Sequence, residues 1–117
     1  MADIHLDSTV LAALQDVMED EYPVLLDTFL ADSEERMRLL RLAEQAADGQ
    51  GLRLAAHSFK GSCSNMGASL LAGLCKQLEE VGRRELLGEA PELIEQIERE
   101  FAIVRILLKS ERQRYRR

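Results

Sequence analysis

Apolar residues recur every three to four positions along nearly the whole chain, and we find no stretch that alternates as a strand does. Leucine and alanine dominate the apolar set, which makes up 46% of residues, whereas aromatic residues are only 4%. Leucine and alanine are strong helix formers. The sequence therefore predicts an all-α protein.

Turn signals divide this pattern into five predicted helices, at about residues 8–18, 20–47, 50–66, 69–83 and 90–113. Pro23 falls in a first helical turn, and Asp48-Gly49, Gly67, Gly82 and Gly88 mark helix ends. Four long amphipathic helices with short connections favour an antiparallel up-down-up-down four-helix bundle, covered by the short first helix. At 117 residues, the chain 1–117 fits a single domain.

The apolar stripes predict which residues form the core. The first helix offers Val10, Leu11, Leu14, Val17 and Met18. The fourth offers Leu70, Leu71, Leu74, Cys75, Leu78 and Val81, and the fifth Ile94, Ile97, Phe101, Val104 and Leu108. Cys63 and Cys75 both fall on buried faces, where a free thiol behaves as a small apolar group and suits a reducing compartment.

The charge distribution argues against several partners. Net charge is −6, and the last nine residues contribute +4, so residues 1–108 carry −10. Nucleic-acid binding needs clustered cations, so we expect no nucleic-acid partner. We interpret the basic end as a complement to the helix dipole or as a frayed tail. We find no signal peptide and no membrane span. A monomeric cytoplasmic protein is the expectation.

The third predicted helix presents a polar face around His57. At about 100° per residue, Arg53, Lys60, Gly61 and Ser64 lie within roughly 60° of His57. Leu54 also falls near this outer face and is a candidate docking contact. Glycine inside a helix costs about 1 kcal/mol relative to alanine, so Gly61 needs a reason other than helix stability.

These residue types suit phosphoryl transfer. A solvent-exposed imidazole is mostly neutral at pH 7, which leaves a ring nitrogen free to attack phosphorus without an activating base. Lys60 can neutralise the phosphate, and Gly61 leaves bare backbone where another molecule could approach. The spacing alone leaves open that His57 and Lys60 are ordinary solvated surface residues.

The run from Ala56 to Ala68, AHSFKGSCSNMGA, resembles the signature of histidine phosphotransfer (HPt) domains, roughly A-H-x-L-K-G-S-S-x-N-L-G-A. Leu71, Leu74-Cys75, Leu78-Glu79 and Gly82-Arg83 resemble positions of the helix that follows in that family. The resemblance covers about residues 8–108. Departures are small: Phe59, Cys63 and Met66 replace other apolar or small residues on the buried side.

The resemblance implies that His57 is the phosphorylated residue, that Lys60 steadies the phosphate and that Gly61 leaves space for the partner. Gln77 and Lys76 are weaker candidates for the rim of the docking surface. The implied partners are receiver domains of hybrid histidine kinases and of a response regulator, whose Mg²⁺ and acidic residues supply the catalytic machinery. We find no glycine-rich nucleotide-binding segment, so we expect no cofactor and no phosphate taken directly from ATP.

Two alternatives belong to other classes of protein. One is a metal-binding bundle that uses His5, His57, Cys63 and Cys75, although His57 and Cys63 lie about 120° apart on the helix. The other is a non-catalytic helical adaptor with an incidental surface histidine. The adaptor predicts that His57→Gln is tolerated, whereas the phosphotransfer hypothesis predicts loss of phosphate acceptance.

Overall fold

The computed structural model describes residues 4–115, and within that range the regular structure is entirely helical. The α-helices are α1 (Ser8–Met18), α2 (Tyr22–Gln45), α3 (Gly49–Asn65), α4 (Ser69–Arg83) and α5 (Ala90–Gln113). Single 3₁₀ turns at Glu19–Glu21 and Leu87–Glu89 precede α2 and α5.

Helix α2 is shorter at both ends than the expected 20–47. It starts at Tyr22 because Glu19–Glu21 forms a 3₁₀ turn, and Pro23 then occupies the first α-helical turn, where its missing N–H costs nothing. It ends at Gln45 because Ala47 adopts a positive φ of 52°. Asp48 then caps α3, its Oδ1 accepting from the Gly51 N–H at 2.9 Å.

The four long helices form the expected antiparallel four-helix bundle. Helix α3 packs between α2 and α4, and α5 closes the bundle by contacting both α4 and α2. Helices α3 and α4 share the most extensive interface, and small residues lie buried on both sides of it: Gly49, Ala56 and Cys63 on α3, and Ala72, Cys75 and Gly82 on α4. Small side chains let the two backbones approach closely at this interface.

The core contains the predicted seam of α5 together with inward residues of the other long helices. Its largest fully buried side chains include Tyr22, Leu26, Leu40, Leu52, Phe59, Leu71, Leu78, Ile94 and Ile97. No residue of α1 is fully buried, and two residues predicted for the core are exposed, Val17 at 79% and Leu70 at 43%. Both lie near the end of a helix, on the edge of its apolar stripe, where the bundle offers no neighbour on that side.

Helix α1 lies over one end of the bundle. Asp7 caps it by accepting from the Thr9 N–H at 2.9 Å, and the Asp7 N–H donates to the Gly67 carbonyl oxygen at 2.9 Å. Gly67 has a φ of +77°, a conformation that glycine adopts without strain. Leu6 is buried just ahead of the helix, and His5 Nδ1 lies 2.7 Å from Glu100 Oε2 of α5.

The two cysteines are buried, as the sequence predicted, and an arginine of the basic end contacts α2. Cys63 and Cys75 are free and buried. A hydrogen bond with Cys75, together with burial, raises the pKa of the Cys63 thiol well above its ordinary value. Arg112 Nε lies 3.0 Å from Asp27 Oδ1, whereas Arg116 and Arg117 lie outside the described residues. None of the helices described between residues 4 and 115 is long and apolar enough to cross a membrane.

Candidate functional site

His57 lies near the middle of α3 and points to solvent. Its side chain is 63% exposed, while the neighbouring Ala56 and Phe59 are fully buried and anchor the backbone beneath it. Gly61 and Ser64 are exposed on the same face, as expected, and Arg53 and Lys60 are half-buried. The polar face predicted from the helical spacing is therefore present.

Glu79 of α4 connects His57 with Lys60. Its Oε2 lies 2.9 Å from His57 Nδ1, and its Oε1 accepts from Lys60 Nζ at 2.6 Å. The hydrogen bond from Lys60, and then that from His57, hold the pKa of the Glu79 carboxyl below its usual value. Glu79 is therefore ionised at neutral pH.

This contact determines which imidazole nitrogen keeps a free lone pair. An ionised carboxylate can only accept hydrogen bonds, so His57 Nδ1 must carry the proton and donate it to Glu79. In the neutral ring the lone pair then resides on Nε2. The structure therefore leaves Nε2 as the ring nitrogen with a free lone pair, in a largely exposed side chain.

Glu79 is the residue that sequence reasoning missed, since it entered only as part of the Leu78-Glu79 match. No contact within the chain was predicted for His57 or Lys60, whereas the carboxylate of Glu79 contacts both. The position of Glu79 on its helix was the signal that could have identified it. Glu79 lies four residues after the buried Cys75, so it sits on the inward flank of α4, where an unpaired acid would be costly.

An apolar surface lies beside His57 on the side of α2. Leu39, Leu42 and Leu54 are all substantially exposed. They line an open cavity of about 560 Å³ between α2 and α3, together with Ser58, the residue after His57. Arg36 Nε donates to Ser58 Oγ at 3.1 Å, which adds a cation at the edge of this surface.

The two candidate rim residues, Lys76 and Gln77, are exposed on α4. They line a shallow cavity of about 540 Å³ together with Lys60 and Glu79.

The proposed metal ligands do not come together. His5 and His57 each contact a different glutamate, and both cysteines are buried. Among residues 4–115, no group of three histidine, cysteine or carboxylate side chains is placed to hold a metal ion.

Comparisons with known proteins agree with this geometry. The Hpt domain family model matches residues 24–107, so the chain belongs to the Hpt domain family, whose members carry phosphoryl groups in phosphorelays. It is similar to the crystal structure of histidine-containing phosphotransfer protein B (HptB) from Pseudomonas aeruginosa PAO1. The two are 72% identical over 96% of this chain and 97% of that one, with a TM-score of 0.94. No curated protein matches the chain.

Family membership defines the chemical class of the protein. Hpt proteins are phosphotransfer intermediates and not enzymes with catalytic machinery of their own, and they carry no cofactor. Receiver domains of two-component phosphorelays are the partners of this family.

Proposed function

We propose that His57 accepts a phosphoryl group from the phospho-aspartate of a receiver domain in a hybrid sensor kinase and passes it to the receiver aspartate of a response regulator. One observation carries this proposal: the ring is exposed while Glu79 holds its Nδ1–H, which leaves Nε2 facing the partner. Family membership supports the reaction class.

The reaction requires little of this chain beyond orientation. The Nε2 lone pair attacks phosphorus, the bond from phosphorus to the aspartyl oxygen breaks, and the aspartate leaves as a carboxylate. The phosphorylated ring keeps its Nδ1 proton and gains positive charge, which the adjacent Glu79 carboxylate stabilises. Transfer to the second receiver reverses these bonds, and the partner supplies the Mg²⁺.

Lys60 is the candidate for steadying the phosphoryl group. Its ammonium rests on Glu79, and its side chain is 29% exposed at the margin of the site. A flexible four-carbon side chain lets the ammonium turn towards an arriving phosphoryl group without moving the helix. We infer that Lys60 exchanges part of its contact with Glu79 for the phosphoryl oxygens.

The proposed docking surface surrounds His57 and combines an apolar and a polar side. Leu54 supplies the apolar side. Gly61 lies at the centre of the docking surface, and no atom lies within 4 Å of where its Cβ would stand. Packing within this chain therefore does not require a glycine at this position. Its other members are Arg53, Ser64 and Gln77. A receiver domain that buries this patch would exclude water from the phosphoryl group.

The test is phosphoryl transfer in a purified mixture. Wild-type protein, a phosphorylated receiver domain and Mg²⁺ should yield acid-labile, base-stable phosphate on this chain, and His57→Gln should abolish it with helicity unchanged. His5→Gln is the matched control, because it alters the only other histidine and should still be labelled. Normal labelling of His57→Gln would contradict the proposal. If several receivers all failed to label the wild-type protein, the adaptor hypothesis would be favoured, with the exposed leucines as its binding surface.

We also propose that the protein acts as a cytoplasmic monomer. Its buried free thiols suit a reducing compartment, and a net charge of −6 opposes self-association. Sedimentation at micromolar concentration should give the mass of one chain, and cell fractionation should recover the protein with cytoplasmic markers. A stable dimer, or recovery outside the cytoplasm, would contradict these statements.

A further inference from the structure

Gly82 of α4 makes an unusually close approach to the backbone of α3. A methyl group added at Gly82 would lie 2.7 Å from the Gly49 carbonyl oxygen and 2.8 Å from the Arg53 backbone nitrogen. Real Cβ atoms essentially never approach another heavy atom within 3.0 Å. Because the obstructing atoms belong to the backbone of α3, a side-chain rotation cannot relieve the clash, and the two helices would have to separate.

This contact lies one helical turn from the phosphotransfer site on both helices. Arg53 precedes His57 by four residues on α3, and Gly82 follows Glu79 by three residues on α4. The hydrogen bond between His57 and Glu79 spans the same pair of helices at 2.9 Å. Such hydrogen bonds usually measure 2.7–3.2 Å, and one stretched to about 3.6 Å no longer counts as a hydrogen bond. An increase in helix spacing of a few tenths of an ångström therefore weakens this one.

The two partners of Glu79 differ in their ability to follow such a movement. Lys60 reaches the carboxylate through a flexible four-carbon chain and can keep its contact if Glu79 retreats. The imidazole of His57 joins the backbone through a single methylene, so its reach is limited. A wider spacing therefore releases His57 first.

From these distances we propose that Gly82 is a positioning residue for phosphoryl transfer. By allowing α4 to press against α3, it places the Glu79 carboxylate against His57 Nδ1, which keeps the proton on Nδ1 and the lone pair on Nε2. The effect of Gly82 on transfer rests on the proposed function. Its effect on the position of the imidazole proton does not depend on any partner.

The test is nitrogen NMR of the imidazole of His57 in the free protein, at about pH 8.5, where imidazoles are neutral. Wild type should show the tautomer protonated on Nδ1, and Gly82→Ala a mixture of both tautomers. Gly73→Ala is the matched control, because this other α4 glycine is exposed, with no atom within 4 Å of a Cβ. It should keep the wild-type tautomer. A folded Gly82→Ala protein with the wild-type tautomer would overturn the inference.

Two further variants separate positioning from general destabilisation. Glu79→Asp shortens the acid without altering the helix contact, so it should give the same mixture of tautomers even if Gly82→Ala folds poorly. The wild-type tautomer in Glu79→Asp would overturn the inference. In a Glu79→Ala background, Gly82→Ala should cause no additional change at His57, because the residue through which Gly82 acts is gone. A further change there would show that Gly82 does not act through Glu79.

Transfer from a phosphorylated receiver distinguishes this inference from the proposed function. Gly82→Ala should slow labelling of His57 by about tenfold, the lower end of the range for losing a partner that orients a metal-binding histidine, which we take as the nearest analogue. Gly73→Ala should be labelled at the wild-type rate. Failure of every receiver to label wild type would overturn the proposed function, while the tautomer comparison would still decide the role of Gly82.

Discussion

At the scale of single residues, the two histidines of the chain make the same kind of contact in different surroundings. Each places Nδ1 against a glutamate, at 2.7 Å for His5 with Glu100 and 2.9 Å for His57 with Glu79. Glu100 is buried and His5 half-buried, so that pair ties the segment preceding α1 to α5. His57 is mostly exposed, and its contact leaves Nε2 open to a partner.

The sequence predicted that His57, Lys60, Gly61 and Leu54 share one outer face, because all four lie on one helix with about 100° between successive residues. It did not predict the role of Glu79. That role depends on how closely α4 approaches α3, which is a tertiary property. Periodicity shows that both helices are amphipathic but not which side chains meet between them.

One residue-scale prediction concerns the charge of Glu79. Because its pKa is lowered in the folded protein, its contribution to stability is full above about pH 4.3, the ordinary value for glutamate, and is lost as the pH falls further. Glu79→Gln should lower the free energy of unfolding by roughly 1 kcal/mol at pH 7. Urea titrations between pH 3 and 7 measure this difference.

The difference between Glu79→Gln and wild type should shrink towards the acid end of that range. Asp16→Asn, at an exposed carboxylate of α1, is the control and should change little. A destabilisation by Glu79→Gln that is equal at every pH would contradict an ionic role for Glu79.

At the scale of helices, the bounds of α1, α4 and α5 follow directly from turn signals, whereas those of α2 depend on local backbone conformation. The positive φ of Ala47 ends α2 two residues before the predicted end, and alanine is not a residue type that predicts a positive φ. The apolar stripes were less reliable at helix ends. Val17 and Leu70 fit the period of their helices, but no neighbouring helix covers them.

A helix-scale prediction separates stability from docking at Gly61. This glycine lies within α3 with open space around it, so alanine should stabilise the protein by about 0.5–1 kcal/mol through helix propensity. A larger side chain, as in Gly61→Gln, should still fold yet slow transfer by obstructing the receiver. Thermal denaturation and labelling rates measure the two effects.

The control for Gly61 is Gly73→Ala on α4, which should gain stability without affecting transfer. Unchanged transfer kinetics in Gly61→Gln would count against a docking role for Gly61.

At the scale of the whole molecule, contacts between distant parts of the chain close the bundle. Tyr22 at the start of α2 donates its hydroxyl to Glu111 Oε2 near the end of α5 at 2.8 Å, and its ring packs edge-on against Tyr115. The sequence predicted the number and order of the helices. It could not indicate this closure, because 89 residues separate the hydrogen-bonded pair and no local pattern links them.

A whole-molecule prediction concerns alkaline pH. Burial and the hydrogen bond with Glu111 raise the pKa of Tyr22 well above its ordinary value. Its contribution to stability is therefore full below about pH 10 and is lost as the pH rises further, because the unfolded chain ionises first. Tyr22→Phe should cost about 1 kcal/mol at pH 7. Denaturant titrations from pH 7 to 11 should show this difference shrinking.

Both wild type and Tyr22→Phe retain Tyr115, so the comparison between them isolates the effect of Tyr22. If wild type and Tyr22→Phe lost stability in parallel above pH 10, the buried hydroxyl would not be the cause.

The most direct test of the account identifies the atom that carries the phosphoryl group. We would phosphorylate ¹⁵N-labelled protein with a phosphorylated receiver domain and Mg²⁺, then record phosphorus and nitrogen NMR spectra of the purified product. The account predicts phosphorus bonded to Nε2 of His57, with the proton retained on Nδ1 and directed at Glu79. Phosphorus on Nδ1, or on any residue other than His57, would contradict it.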